Sequence, residues 1–186
     1  MNPTQELVHN FQELLGQVPE FMQPFILVLA AAVPFLEGEA GAMIGVVGGL
    51  NPVLAAAAAA VGNFASVALV VLVTARARTA VTSRVDARAV SAAAAAAGTA
   101  TLVTVPAAKP ESKGRLRFKR WLVRFGVPGA SILGPLAIPT QFTASILVAG
   151  GTSRRWVLLW QGVAIVLWTT ITTVLVWSAL RFVVGV

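Results

Sequence analysis

Two acidic side chains, Glu37 and Glu39, lie in a stretch of the chain that carries no other charge from residue 21 to residue 75. Only 11% of all residues are charged and 57% are hydrophobic, whereas an average soluble domain is about 25% charged. This composition predicts an integral membrane protein. Because a carboxylate in hydrocarbon costs roughly 2.5–3.5 kcal/mol on insertion scales, two of them in one glycine-rich segment predict a site for a solute or a proton.

The reactive residues of the chain exclude several function classes. There is no cysteine and only one histidine, His9, so the sequence offers neither a disulfide nor a thiolate or histidine metal cluster. A Ser/His/Asp set and a phosphate-binding loop are also missing, and we therefore predict neither an enzyme nor a cofactor. The net charge of +7 does not predict nucleic-acid binding, because the cations flank apolar segments as topology signals do.

The N-terminal part is predicted to contain three elements. Residues 3–18 repeat apolar side chains at helical spacing, which predicts an amphipathic helix that either lies in the membrane interface or packs on the other helices. Residues 21–50 are apolar but interrupted by proline and glycine, so they form either a re-entrant segment or a full span with both acids near the interface. Residues 52–75 predict an uninterrupted span that ends at Arg76.

The central part of the chain is strongly basic. Residues 76–124 hold eleven of the fourteen Lys and Arg residues, so the positive-inside rule predicts a cytoplasmic loop. Within it, the alanine-rich stretch 89–108 is either part of this loop or a further span of low hydrophobic drive. Residues 113–125 predict a second amphipathic helix, whose basic side lies on anionic lipid or in solvent. The cations predicted to contact the membrane surface are Arg115, Arg117, Lys119, Arg120 and Arg124.

The C-terminal part repeats the order of a broken segment and a long span. Residues 127–152 are apolar, uncharged and interrupted by proline and glycine. If they crossed the membrane, Arg154 and Arg155 would lie outside, so the positive-inside rule predicts a re-entrant hairpin. Residues 156–180 predict the last span, with tryptophans near both ends as in an aromatic belt.

The two halves therefore share one order of elements but run in opposite directions. We predict an all-α integral membrane protein with two inverted repeats, each an amphipathic helix, a re-entrant helical hairpin and a transmembrane helix. The single membrane domain, 1–186, would consist of a first half-repeat, 1–75, a basic alanine-rich cytoplasmic connection, 76–112, and a second half-repeat, 113–186. Many secondary transporters are built in this way.

Short motifs in both halves resemble those of a known group of membrane proteins. The first comprises Pro34–Ala42, around the two acids, and Val61–Asn63 in the next helix; the second comprises Arg124–Gly126 and Pro135–Pro139. On these motifs the chain resembles the DedA/VTT superfamily and, within it, the small multidrug export protein family. The resemblance extends over residues 25–180. It implies two opposed re-entrant loops and the transport or scrambling of lipid-like or cationic solutes.

The resemblance also assigns roles to single positions. Glu37 takes the place of the family's acidic residue. The chain departs from the family at Glu39, where the exporter-like motif has arginine, and at Leu136 and Phe142, where DedA proteins carry arginines. Because Gln141 is the nearest polar group there, the departures favour the handling of protons or cations over that of anionic phosphate.

Glu37 and Glu39 are thus predicted to carry protons or to bind a cation, and a water-filled vestibule without a solute is the third interpretation. Neutral side chains near the helix breaks are predicted to complete the site, with hydrogen bonding to broken backbone as their alternative role. These residues are Asn63, Thr140, Gln141 and Thr143.

We expect a transporter or scramblase-like protein that translocates a small cationic compound or a lipid, with proton coupling through the two acids. The alternative is a small accessory subunit of a larger membrane complex, packed through the alanines of 55–60. Expected partners are membrane lipids and a second copy of the chain or a larger complex. Arginine outnumbers lysine by 11 to 3, a bias typical of GC-rich bacterial genomes, so we expect a multi-pass protein of the bacterial plasma membrane with residues 76–124 in the cytoplasm.

Overall fold

The computed structural model describes residues 3–97 and 126–185, and every regular element within them is a helix. The prediction of an all-helical chain is therefore confirmed for these residues. The predicted basic helix 113–125, with its five membrane-facing cations, lies outside them. The helices are α1 (Pro3–Gly16), α2 (Gln23–Ala32), α3 (Glu37–Val47), α4 (Pro52–Ala97), α5 (Val127–Leu133), α6 (Thr140–Ala149) and α7 (Arg154–Ala179), with a 3-10 turn at Gly134–Leu136 and a π-helical turn at Leu180–Val184.

Two of these helices, α4 and α7, are the only ones in the described ranges that are long and apolar enough to cross a membrane. Helix α4 contains the predicted span 52–75, and α7 together with the first residue of the π-helical turn contains the predicted span 156–180. The structure differs from the prediction after Arg76, where we expected a loop and α4 instead continues to Ala97. The extension is helical because alanine and arginine are strong helix formers and residues 76–97 contain neither proline nor glycine.

Local capping fixes where both long helices begin. The side-chain oxygen of Asn51 accepts hydrogen bonds from the backbone N–H groups of Val53 and Leu54, at 2.9 and 3.3 Å. The hydroxyl of Ser153 accepts one from the backbone N–H of Trp156 at 3.4 Å. Each cap satisfies donors that the first turn of a helix leaves unpaired.

The segment before α4 folds back on itself. Helices α2 and α3 have 10 and 11 residues, and each is about half as long as the roughly 20 residues that span a bilayer. A β-carbon built on Gly41 would lie 2.9 Å from Ala31, and one built on Gly45 would lie 2.6 Å from Leu27. Because the second pair is farther apart in the sequence than the first, α2 and α3 run antiparallel, and we call them the first hairpin.

The segment before α7 also reverses direction. A β-carbon on Gly134, before the break, would lie 3.0 Å from the hydroxyl of Thr143, after it. Val127 and Val148, at the far ends of α5 and α6, belong to one buried cluster. We call α5, the 3-10 turn and α6 the second hairpin.

Both hairpins join their long helix through the same turn. Gly49 and Gly151 adopt left-handed backbone, with φ of 88° and 96°. At each turn, a backbone N–H donates to the carbonyl five residues earlier, at the end of the preceding helix. These bonds run from Leu50 to Gly45 and from Thr152 to Leu147. This pattern is a Schellman motif, in which glycine avoids the cost that a β-carbon would incur at positive φ.

The hairpins pack against both long helices. Helices α3 and α6 each contact α4 and α7, whereas α2 packs on α4 and α5 packs on α7. Helix α1 packs across the ends of other elements, since Gln5 and Gln12 donate hydrogen bonds to the carbonyls of Val184 and Val47. This arrangement brings the tips of the two hairpins together between α4 and α7.

Candidate functional site

Glu37 occupies an unusual backbone conformation at the tip of the first hairpin. It is the first residue of α3, and it and Phe35 are the two non-glycine residues of the described ranges with positive φ, at 53° and 73°. A non-glycine residue held in such a conformation costs about 1–3 kcal/mol and persists only where its surroundings hold it in place. The strain therefore marks this tip as a position that the fold constrains.

The carboxyl group of Glu37 reaches across to the second hairpin. Glu37 is buried, with 6% of its surface exposed. Its Oε1 atom accepts hydrogen bonds from the backbone N–H of Thr140 and from the Thr140 hydroxyl, the latter at 2.8 Å. Thr140 is the first residue of α6, so an acid from one hairpin caps the helix of the other.

Two amide side chains complete this polar centre. Asn63 in α4 is fully buried and Gln141 in α6 is 3% exposed. The amide of Gln141 donates to Asn63 Oδ1 and to the hydroxyl of Ser66, each at 3.3 Å. The Thr140 hydroxyl, which has one proton, lies 3.1 Å from Asn63 Oδ1. The predicted residues Glu37, Asn63, Thr140 and Gln141 therefore form one connected network.

Helix α7 closes the centre at Gly38. A β-carbon on Gly38 would collide with the hydroxyl of Thr169 and would lie 3.7 Å from the amide nitrogen of Asn63. Both of these polar atoms are buried and have no hydrogen-bond partner within the described residues. Glycine between the two acids thus permits close contact of α3 with α7. The Thr169 hydroxyl and the Asn63 amide nitrogen both lie beside this glycine.

Glu39 lies outside the hydrogen-bonded network and faces an open cavity. The cavity has a volume of about 440 Å³, and Glu37 and Glu39 both line it. The rest of its wall is mainly apolar and comes from both hairpin tips and α7, including Phe35, Leu36, Met43, Leu136, Ile138 and Trp168. A solute that entered it would meet apolar side chains and two carboxyl groups.

Thr143 hydrogen-bonds to backbone at the helix break, which is the alternative role that the sequence predicted for it. Its hydroxyl donates to the carbonyl of Pro139 at 3.4 Å, within its own hairpin. It also contacts the other arm of the hairpin at Gly134. Thr143 therefore supports the helix break and does not contact the acids.

The two acids at the centre have no cationic partner in the described residues. No Lys, Arg or His in residues 3–97 and 126–185 forms an ion pair with Glu37 or Glu39. Helices α3 and α6 both begin here, and a helix N-terminus carries about half a positive charge. When both carboxyl groups are ionised, the two ends together offset about one of the two negative charges. One proton or one monovalent cation then neutralises the remainder.

Three further residues at the centre are absent from the sequence-based site. They are Ser66, Thr169 and Trp168, whose indole N–H donates to the carbonyl of Ile132 at 2.7 Å beside the second helix break. A signal for α7 existed, because Gln161, Thr169 and Thr173 repeat at helical spacing in an apolar helix and all are buried. No three His, Cys, Asp or Glu side chains in the described part of the chain group to hold a metal ion.

Comparisons with known proteins identify no relative. The chain matches no protein-family model, no curated protein and no solved structure. The resemblance to the small multidrug export family therefore stays a prediction from short motifs.

Proposed function

We propose that the protein is an integral membrane transporter that moves a small cationic compound or a lipid, coupled to a proton at Glu37 and Glu39. The observation that carries this proposal is a pair of carboxyl groups, without a cationic partner in the described residues, where the two hairpin tips meet beside a cavity with a mainly apolar wall. An organic cation or the cationic part of a lipid matches that combination, and a proton can replace it on a carboxyl group.

The arrangement of the helices supports placing this centre in the membrane. Arg76 and Arg78 of α4 and Arg154 and Arg155 of α7 line one groove. The start of α4 and the end of α7 line another, with Asn51 and Leu180 on its wall. The two long helices are thus antiparallel, as an inverted repeat requires, and the positive-inside rule assigns the arginine end to the cytoplasm.

The identical turns support the same proposal. Two hairpins that end in one Schellman pattern and meet tip to tip have the construction of discontinuous helices in transporters, where irregular backbone lines a polar site. In this arrangement Glu37 lies at the depth of the helix breaks, and the bacterial plasma membrane is the location that we propose.

The accessory-subunit alternative loses its main support. It depended on the alanines of α4 as a surface for another protein. Ala55, Ala58 and Ala59 are buried within this chain, where they pack against residues of the first hairpin such as Leu27 and Ala31. Three of the six alanines of 55–60 therefore make contacts inside the fold, and Ala57 stays exposed.

The proposal is tested with purified full-length protein in vesicles. One set contains DNA and reports entry of ethidium, an organic cation, by fluorescence under an imposed pH gradient. A second set carries a phospholipid with a fluorescent headgroup and reports its movement between leaflets by dithionite quenching. We expect the wild-type protein to accelerate one of these processes over empty vesicles, and Glu37→Gln to remove that acceleration.

The substitution separates transport from helix capping. Glutamine keeps an oxygen that accepts from Thr140, so Glu37→Gln is expected to retain the thermal unfolding temperature of the wild type. Glu20→Gln, in the exposed segment before α2, is the matched control and should transport normally. Wild-type rates for Glu37→Gln, or vesicles in which the wild-type protein moves neither probe, would refute the proposal.

A further inference from the structure

A groove lined by four arginines lies at the end of the molecule where the apolar part of α4 ends and α7 begins. Arg76 and Arg78 come from α4 and Arg154 and Arg155 from α7. The groove has a volume of about 810 Å³ and no acidic residue lines it. None of the four guanidinium groups forms a salt bridge with an acid of residues 3–97 or 126–185. Four like charges that share one groove repel each other, and a bound anion would relieve this repulsion.

The groove also offers neutral donors that suit a phosphate group. Thr79, Thr152 and Ser153 lie on its wall with the arginines. It includes the first turn of α7, where backbone N–H groups lack intrahelical partners and the helix dipole favours an anion. A guanidinium group can donate two parallel hydrogen bonds to the oxygens of one phosphate group, so arginines that share a groove suit a phosphate ligand.

One arginine of the groove lies against the turn of the second hairpin. A β-carbon on Gly151 would lie 2.9 Å from Nη2 of Arg78. The guanidinium group of Arg78 therefore lies against the backbone of the Gly150–Gly151 turn, which precedes Arg154. At the equivalent turn, the atoms nearest to a β-carbon on Gly49 belong to the neutral side chain of Gln12, at 3.9 Å, and the groove beside it is lined by one arginine, Arg181. The basic groove is specific to the second turn.

Aromatic side chains indicate the source of the phosphate. Trp156 and Trp160 lie in the first two turns of α7 and make an edge-to-face contact with ring centroids 5.8 Å apart. Tryptophan is enriched where a helix passes from hydrocarbon to headgroups. If α4 and α7 cross the membrane as proposed above, the groove lies at the level of the lipid headgroups on the cytoplasmic side.

We propose that this groove binds the phosphate group of an anionic phospholipid, which links the end of the apolar part of α4 to the start of α7. The lipid is a resident ligand that differs from the transported solute, because the groove contains neither Glu37 nor Glu39. The proposal uses the membrane placement of the proposed function but not its transport activity.

The test measures lipid retention by native mass spectrometry of full-length protein released from detergent. The probes are phosphatidylglycerol and phosphatidylcholine with identical acyl chains. We expect preferential retention of phosphatidylglycerol by the wild-type protein. Arg78→Gln/Arg154→Gln should weaken it at least about tenfold, since each lost charge-assisted hydrogen bond contributes on that order. Arg84→Gln/Arg88→Gln, farther along α4 on exposed positions, removes the same charge and should retain the lipid like the wild type.

A second pair of variants keeps every charge. Gly151→Ala places a methyl group against the guanidinium of Arg78, whereas Gly49→Ala strains the equivalent turn without contacting an arginine. We expect only Gly151→Ala to lower phosphatidylglycerol retention. This comparison keeps the proposal testable if the double arginine variant fails to fold.

Competition with a soluble phosphate compound identifies the source of the phosphate. Competition by millimolar glycerol phosphate would show that the phosphate group alone is recognised, whereas retention of the lipid without competition would show that the lipid is required. Equal losses for the two double arginine variants would overturn the proposal, as would equal retention of the two lipids. The lipid-retention assay does not measure transport. The lipid proposal and the transport proposal can therefore each be refuted without the other.

Discussion

The two hairpins have the same construction but carry different chemistry at their tips. Each has a short helix, a break and a second short helix that ends in the same glycine turn. The first tip holds an acid on left-handed backbone at Glu37. The second has Pro139 in relaxed extended backbone, with φ of −53° and ψ of 144°, followed by Thr140 and Gln141. One hairpin thus supplies charge and the other supplies neutral donors, so the polar centre requires both.

The hairpins also differ in how they are held. The first approaches its long helix so closely that a β-carbon on Gly62 would collide with the backbone of Val28. The second packs through larger side chains such as Val127 and Val148, and Gly129 in α5 has open space around it. We infer that the strained, charged tip is carried by the hairpin with the tightest backbone contacts.

The largest expected effect tests this difference in packing. Gly62→Ala should destabilise the protein by about 3 kcal/mol or more, because backbone cannot move aside as a flexible side chain can. Gly129→Ala, in α5 of the second hairpin where the added methyl group faces open space, is the control and should stay within about 1 kcal/mol of the wild type. Thermal unfolding in detergent, followed by circular dichroism, measures both. Similar losses for the two variants would show that the hairpins are held alike.

The sequence predicted the helices and breaks because these depend on local signals. Apolar runs, Pro52 at the start of α4 and paired glycines at both turns are visible in the chain itself. The continuation of α4 beyond Arg76 was missed, because a charge that ends a membrane span does not end a helix. A helix ends where capping or proline stops it, and neither occurs in residues 76–97.

The candidate site was predictable only in part. Buried charge in an apolar segment identified Glu37, and polar residues at a break identified Thr140 and Gln141. Their pairing across more than a hundred residues of sequence is a tertiary contact that no local pattern contains. The contribution of Thr169 depends on the close contact at Gly38, which requires the relative position of α3 and α7.

A smaller effect distinguishes the two threonines of the second hairpin. Thr140→Val removes one of the two hydrogen bonds to Glu37 Oε1 and keeps the one from the backbone N–H, so it should cost about 1 kcal/mol, as a typical hydrogen bond contributes. Thr143→Val has the same change in shape but loses a 3.4 Å bond within its own hairpin, so it should cost less than about 1 kcal/mol. The same unfolding measurement compares them. A loss at Thr143 as large as that at Thr140 would mean that the tip contact adds no more stability than the bond within the second hairpin.

The smallest expected effect tests the backbone strain that sets the first tip apart. Phe35 has φ of 73° and is 78% exposed, so Phe35→Gly should relieve strain and raise the stability by about 1 kcal/mol or less. The substitution also removes a ring contact with Phe142, whose centroid lies 6.2 Å away. Phe142→Ala measures that contact alone and should be mildly destabilising.

Leu36→Gly, at the next position with φ of −82°, should lower the stability by about 0.5–1 kcal/mol, because glycine has no advantage there. A Phe35→Gly variant less stable than Phe142→Ala would show that Phe35 stores no strain, and Glu37 would then be the residue of the first tip left to account for the strain.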